Sequence, residues 1–236
     1  MGLFKKRRQI TSAVIVAAGA SQRMGGVSKV FAELGGEPVL LHTLRTFEAS
    51  PVIREIVVVC RPEELERVAQ FALAGGIRKL TQVVIGGASR PLSVYNGLLA
   101  VSKKATHVAI HDGARPLVTQ EIIAKTVAAA WKFHAAAPAV AVKATVKEAE
   151  RGIVVATPPR ARLYEAQTPQ VFDADLIRGA LVAAIRKKLP LTDDCAAVEA
   201  LGVAVHLTDG DYENIKLTTP EDMIVAEAIL ERRVPR

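Results

Sequence analysis

The sequence predicts an α/β fold, a mostly parallel, doubly wound sheet with helices on both faces and a β-hairpin arm projecting from it. Three observations predict this. Short β-branched runs alternate with stretches of helical spacing along the chain, which is the signature of parallel strands joined by crossover helices. Of the 236 residues 50% are hydrophobic and only 4% aromatic, with Ala and Val abundant, which suits a close-packed sheet under helices rather than an aromatic-rich sandwich. One stretch, Ala139 to Thr157, breaks the alternation and reads as strand, charged turn, strand.

The expected strands are, in order, Ala13–Ala18, Ile56–Cys60, Gln82–Ile85, His107–His111, Ala139–Val142 and Val203–Leu207. Between them Pro38, Pro62 and Pro220 stand where a first helical turn tolerates proline, and Gly75, Gly76 and Gly202 stand where helices stop. In the irregular stretch Arg151 and Gly152 mark the bend of the arm, which spans about residues 139–160. A two-stranded projection is marginal alone, so it is expected to pair with a second subunit in a homodimer. The length fits a single domain, residues 13–236, behind a basic tail of residues 1–12.

The net charge of +7 invites a nucleic-acid partner, but Lys5, Lys6, Arg7 and Arg8 supply four of those charges, and 7 − 4 leaves +3. No other basic block with interleaved aromatics supports such a partner, so the tail reads as a solvated end. Cys60 and Cys195 have no CxxC neighbour, which argues against zinc and for reduced thiols in a cytoplasmic protein. No apolar run approaches the ~20 residues that span a bilayer, and no signal-peptide core precedes Ser12, so no membrane is expected.

Four segments carry chemistry. The first, VIVAAGASQRMGGVSK, sets a buried strand before a loop with Gly19, Gly25, Gly26, Ala20 and Ser21, then Arg23 and Lys29. Small residues let backbone N–H groups approach an anion, and two cations neutralise a triphosphate. The loop has neither GxGxxG nor GxxxxGK[ST], which weakens dinucleotide-binding and P-loop readings. The second, HVAIHDGARPLVT, ends a strand in Asp112, Gly113 and Arg115, where open α/β sheets bind ligands. An Asp there suits Mg²⁺ or a ribose hydroxyl and an Arg suits a phosphate, although Asp and Pro also make a plain β-turn. The third, IGGASRPLSVYNGLLA, has paired glycines before a helix with Ser93 and Asn96, fit for close approach to a planar base or for a simple turn. The fourth runs PPRARLYEAQTPQVF, LTDDCAAVEALG and DYENIKLTTPED; Thr192 with Asp193 and Asp194, and Thr219 with Asp222, read as helix N-caps, and Lys216 sits after a strand like the other cations.

In this order AAGASQRMG with Lys29, GGASRPLSV, HDGARP, LYEAQTPQVF, TDD and ENIKLTTPED resemble the 2-C-methyl-D-erythritol 4-phosphate cytidylyltransferases of the non-mevalonate isoprenoid pathway, from about Ala13 to about Leu230. The resemblance implies a Rossmann-like sheet, a homodimer whose arms reach into each other's site, and CTP with Mg²⁺. By position it implies that Arg23, Lys29 and Lys216 act on the triphosphate in catalysis. It puts Ala17, Ala18, Gly87, Ala88 and Ser93 around the cytidine, and Gly19, Asp112 and Gly113 near ribose and phosphates, with Asp112 on the metal. Arg115, Thr168 and Thr192 would face the sugar phosphate, with Thr145 and Arg160 reaching it from the neighbouring subunit. Members of that family commonly carry an acid where this chain has Ala88 and Ala144, and a polar residue in place of Leu92, so a side chain at position 88 cannot read the base here.

The implied reaction is in-line attack by a phosphate oxygen of the acceptor on the α-phosphorus of CTP. An ionised phosphate needs no general base, and His111 is accordingly expected to be structural. Three other readings compete: the same chemistry on ribitol 5-phosphate or another sugar phosphate, an NAD(P)-dependent oxidoreductase, and a basic binding protein. The oxidoreductase needs an acid at the end of the second strand, which here ends Cys60, Arg61.

Overall fold

Every residue of the opening strand β1 (Thr11–Val16) but the last is buried, and successive side chains go to opposite faces. Ala13 and Ile15 pack with α1 (Val39–Ala49), α2 (Leu65–Ala74) and α4 (Gln120–Phe133), whereas Val14 packs with α3 (Arg90–Ala100) and α5 (Ala174–Arg186). Burial on both faces is why the run is continuously apolar rather than alternating. Fully buried side chains such as Phe47, Leu44, Leu98 and Ile123 fill the two layers, each contributing about 1.5–3 kcal/mol.

The structure is a computed structural model that describes residues 9–19 and 29–233. After β1 come a small hairpin of β2 (Glu33–Leu34) and β3 (Glu37–Pro38), then β4 (Ile53–Cys60), β5 (Leu80–Ile85), β6 (His107–Asp112) and β7 (Ala135–Ala141). The arm is β8 (Glu148–Glu150) with β9 (Ile153–Ala156), followed by β10 (Tyr164–Ala166), β11 (Gln170–Asp173), α6 (Cys195–Glu199), β12 (His206–Asp209) and α7 (Pro220–Arg233). Among the described residues the main sheet has 8 strands, ordered β5, β4, β1, β6, β11, β7, with β10 and β12 also paired to β7. The pairs β1–β4, β1–β6, β4–β5 and β7–β12 are parallel; β10 and β11 run against their neighbours. The sheet is therefore mixed but mostly parallel, as expected.

Three expectations need correction. The first strand begins at Thr11, so Thr11 and Ser12, assigned to the tail, are wholly buried core residues. The strand expected from Ala139 starts at Ala135, because Ala135, Ala136 and Ala137 are fully buried against helices on both faces and small side chains suffice there. The last strand is His206–Asp209 rather than Val203–Leu207. Strands β10 and β11 had no counterpart in the sequence reading. Each is three or four residues long, and the chain spends two extra residues between the pairs Ala166↔Ala139 and Val171↔Ala136, so no periodic run survives to be read.

The arm turns at Arg151 (φ 50°) and Gly152 (φ 82°), the pair of left-handed residues that a tight hairpin matching strand twist requires. Helix α7 starts on Pro220, with the Asp222 carboxylate accepting from the Thr218 and Thr219 N–H groups at 2.7 and 2.8 Å. The expected cap at Thr192 is made instead by Asp193, whose Oδ1 accepts from the Ala196 N–H at 2.9 Å.

Candidate active site

Strand β1 lies between β4 and β6, so the chain winds away from it on one side and returns on the other. Crossovers diverge at that switch point, leaving a crevice outside the carboxyl ends of the strands. A cleft of about 290 Å³ occupies it, floored by Ala17, Ala18 and Gly19 and walled by Gly87, Ala88 and Ser93 on one side and Asp112 on the other. Lys29, at the head of a short helical turn, and Lys216 also line it.

The Gly87 wall is built by contact. Gly86 donates its N–H to the Cys60 carbonyl at 2.9 Å, and a Cβ added there would stand 2.5 Å from the Ala18 Cβ. The Ser93 hydroxyl accepts from the Gly87 N–H at 3.0 Å and donates to the Ser89 carbonyl at 3.0 Å. Ser93 thus holds the loop closed across its mouth, and the paired glycines let it lie against β1.

Opposite, Asp112 meets three cations: Lys216 Nζ at 2.8 Å, Arg90 Nη2 at 3.5 Å and Arg115 Nε at 3.8 Å. Burial works to raise its carboxyl, but Lys216 and Arg90 hold it well below the usual carboxylate range. Beneath it runs a chain of hydrogen bonds with a determined sense. His111 Nε2 lies 3.2 Å from the Arg115 carbonyl, which only accepts, so that nitrogen carries the proton. Nδ1 then accepts from the Thr168 hydroxyl at 2.9 Å, leaving the Thr168 oxygen to accept from the Asp112 N–H at 3.2 Å. Burial pushes the His111 imidazole down to about 4, so it stays neutral and bridges the two ends of the HDGARP turn.

The ENIK segment closes the floor. Asn214 donates to the Thr168 carbonyl at 3.0 Å and accepts Arg115 Nη1 on its own carbonyl at 2.6 Å, and the Leu217 N–H reaches the Ala114 carbonyl at 2.9 Å. These bonds aim Lys216 at Asp112. A floor of small residues, a wall fit for a planar base and cations around one carboxylate suit a nucleotide with its phosphates.

A sequence model of the 2-C-methyl-D-erythritol 4-phosphate cytidylyltransferase family matches residues 11–232. The chain belongs to this family. The cytidylyltransferase of Caldanaerobacter subterraneus subsp. tengcongensis is 46% identical over 94% of this chain and 99% of its own, and that of Desulforamulus reducens is 47% identical over 94% and 96%. The crystal structure of the 4-diphosphocytidyl-2C-methyl-D-erythritol synthase of Anaerococcus prevotii superposes with a TM-score of 0.86 at 34% identity, covering 95% of this chain and 97% of that one. The Thermus thermophilus cytidylyltransferase superposes at 0.77 and 32% identity, covering 92% and 98%.

Within this cytidylyltransferase chain the fold gathers Ala17, Ala18, Gly19, Lys29, Gly87, Ala88, Ser93, Asp112 and Lys216 at one cleft. Gly113 is buried at the hinge of the HDGARP turn, donating to the Val16 carbonyl at 2.9 Å, and Thr168 is buried beneath Asp112 with its hydroxyl engaged. Arg115 packs behind Asp112. Thr192 lies exposed on the turn before α6, and Thr145 and Arg160 are exposed at the root of the arm, with Arg160 Nη1 donating to the Lys143 carbonyl at 2.7 Å. None of these last three lines the cleft within the single chain. Arg23, with Ala20, Ser21, Gly25 and Gly26, lies outside the described residues. Sequence reasoning passed over Arg90, which lines the cleft; the signal available was a cation at a helix start, where the helix dipole disfavours one, while Gln170 of the TPQVF segment pins the TDD turn.

Proposed function

We propose that the protein transfers CMP from CTP to the phosphate of 2-C-methyl-D-erythritol 4-phosphate, releasing pyrophosphate. The observation that carries this reading is the convergence of Lys29, Lys216 and Arg90 on a cleft whose described residues include one carboxylate and no imidazole or second acid placed as a base. The acceptor's phosphate is already ionised at neutral pH, so the protein's task is to align it with the α-phosphorus and offset the charge that develops there. Lys29 and Lys216, with Arg23 as the third cation that the family resemblance implies, supply that offset as charge donors. The floor of Ala17, Ala18 and Gly19 and the Gly87–Ala88 wall receive the cytidine through backbone groups, Ser93 keeping the wall in shape. Gly113 and Arg115 fix the turn that carries Asp112, with Thr168 supporting it from below.

Among the described residues Asp112 is the one acid of the cleft, and no cluster of three or more potential metal ligands occurs. That donor set fits Mg²⁺ bound mainly by triphosphate oxygens and water, with Asp112 as the protein's contribution. Bound there, the ion would neutralise phosphate charge.

The arm leaves Ile153, Val154 and Val155 more than half exposed, at 71, 55 and 51%, which supports a homodimer joined through β8 and β9. In that dimer the partner's arm would bring Thr145 and Arg160 toward Thr192 and the acceptor. The chain from Thr11 onward acts as one domain, and the buried free thiols Cys60 and Cys195 suit the reducing cytoplasm. Pyrophosphate release measured with CTP, Mg²⁺ and either 2-C-methyl-D-erythritol 4-phosphate or ribitol 5-phosphate tests the assignment. Release with the methylerythritol phosphate is expected; release only with ribitol 5-phosphate, or with neither, overturns it.

A further inference from the structure

Arg90 and Asp194 tie the two walls of the cleft together. Arg90 opens α3, beside the Gly87 wall, and sets Nη1 on Asp194 Oδ1 at 2.9 Å and Nη2 on Oδ2 at 2.8 Å. The same Nη2 is 3.5 Å from Asp112 Oδ1, so one guanidinium spans two carboxylates. Asp194 is only 1% exposed and belongs to the turn that carries Thr192. Gln170 grips that turn from the sheet side: its Oε1 accepts from the Asp194 and Cys195 N–H groups, both at 3.0 Å, and its Nε2 donates to Asp193 Oδ2 at 2.8 Å.

Nothing in α3 itself calls for this arginine. No acidic residue stands in the first turn of the helix, and the positive end of the dipole repels a cation there. A buried ion pair is also weak evidence for stability, because its desolvation offsets much of the attraction and well-packed apolar residues serve as well. What the pair supplies is geometry. A guanidinium fork on a carboxylate fixes direction as well as distance, which a lysine ammonium on its flexible stem does not.

We propose that Arg90 is a positioning residue for the acceptor: its bidentate pair with Asp194 holds the Thr192–Asp193 turn at a set distance from Asp112 and the nucleotide wall. The inference rests on the transfer reading above, in which the turn faces the acceptor phosphate. Removing the fork lets the turn drift, and a displacement of about 1 Å in a bound reactant costs on the order of a hundredfold in rate.

The test uses the full chain carrying Arg90→Lys or Asp194→Asn, with steady-state kinetics in both substrates, calorimetric titration of CTP with Mg²⁺, and hydrogen exchange over residues 191–196. Both variants are expected to raise the KM for the acceptor and lower kcat/KM for it by roughly a hundredfold. In Asp194→Asn, whose side chain does not line the cleft, CTP affinity stays at the wild-type value, and in both variants the amides of Asp194 and Cys195 lose protection. If Arg90→Lys weakens CTP binding while Asp194→Asn leaves acceptor KM unchanged, the guanidinium serves the triphosphate directly and the clamp is overturned. If Arg90→Lys does not fold, Asp194→Asn, which keeps the side chain's shape, delivers the same readings. Wild-type protein that releases no pyrophosphate overturns the transfer reading and the clamp with it, whereas active wild type alongside variants of unchanged acceptor KM overturns the clamp alone.

Discussion

Lys29 and Lys216 reach the cleft from positions far apart in the chain, one after the first strand and the other before the last helix. Substituting either by Ala removes a charge donor that matters most when the α-phosphorus is attacked, so kcat is expected to fall by at least about a hundredfold, roughly 3 kcal/mol. Steady-state turnover near the wild-type rate in both variants refutes their assignment. His111 gives a prediction about stability. Its imidazole sits near 4 in the fold against a usual 6.5, with Asp112 and Arg115 beside it charged throughout that window. Between those values the unfolded chain binds a proton that the folded one refuses. The stabilisation is therefore fully present above the unfolded value and is lost as pH falls through the window, by about 2 kcal/mol at pH 5. Urea midpoints at pH 7.5 and 5 check this, and His111→Gln is expected to narrow the gap between them. At this scale the sequence was legible where a residue's type is its function: a lysine after a glycine loop, an Asp ending a strand. It was not legible for Arg90, nor for what Thr168 and Gln170 hold, because the partners Asp194, His111 and Asp193 lie 104, 57 and 23 residues away.

Among the elements, the arm is the one that carries its own prediction. Among the described residues strands β8 and β9 pair only with each other, and they are exposed along their whole length. Replacing Ile153 and Val155 by Asp puts charges on the face offered to a partner without touching the core. Sedimentation is expected to show a monomer with wild-type circular dichroism and a raised KM for the acceptor; an unchanged dimer removes the arm from the interface. The hairpin and its Arg151–Gly152 bend were readable because turn chemistry is local. Strands β10 and β11 were not, because each is a short piece held by pairing with buried neighbours rather than by a periodic pattern of its own.

For the whole molecule, the cleft joins the end of β1 to the loops after β5 and β6, so a nucleotide bound there braces elements spread over most of the chain. CTP with Mg²⁺ at 100 times its dissociation constant is expected to stabilise the fold by about 2.7 kcal/mol, which for a chain of this size raises Tm by roughly 5–10 °C. NADPH is expected to give no shift; a shift with NADPH and none with CTP would return the protein to the oxidoreductases. The sequence by itself determined the winding of the sheet, its mostly parallel sense and the cluster of motifs that ends its strands, because periodicity and turn residues act over short stretches of chain. Only the tertiary structure decided that Asp112 is held between Lys216, Arg90 and Arg115, and that the TDD turn is clamped to it. The Lys216–Asp112 and Arg90–Asp194 contacts each join segments about a hundred residues apart, and no local spacing encodes which of many charges will meet.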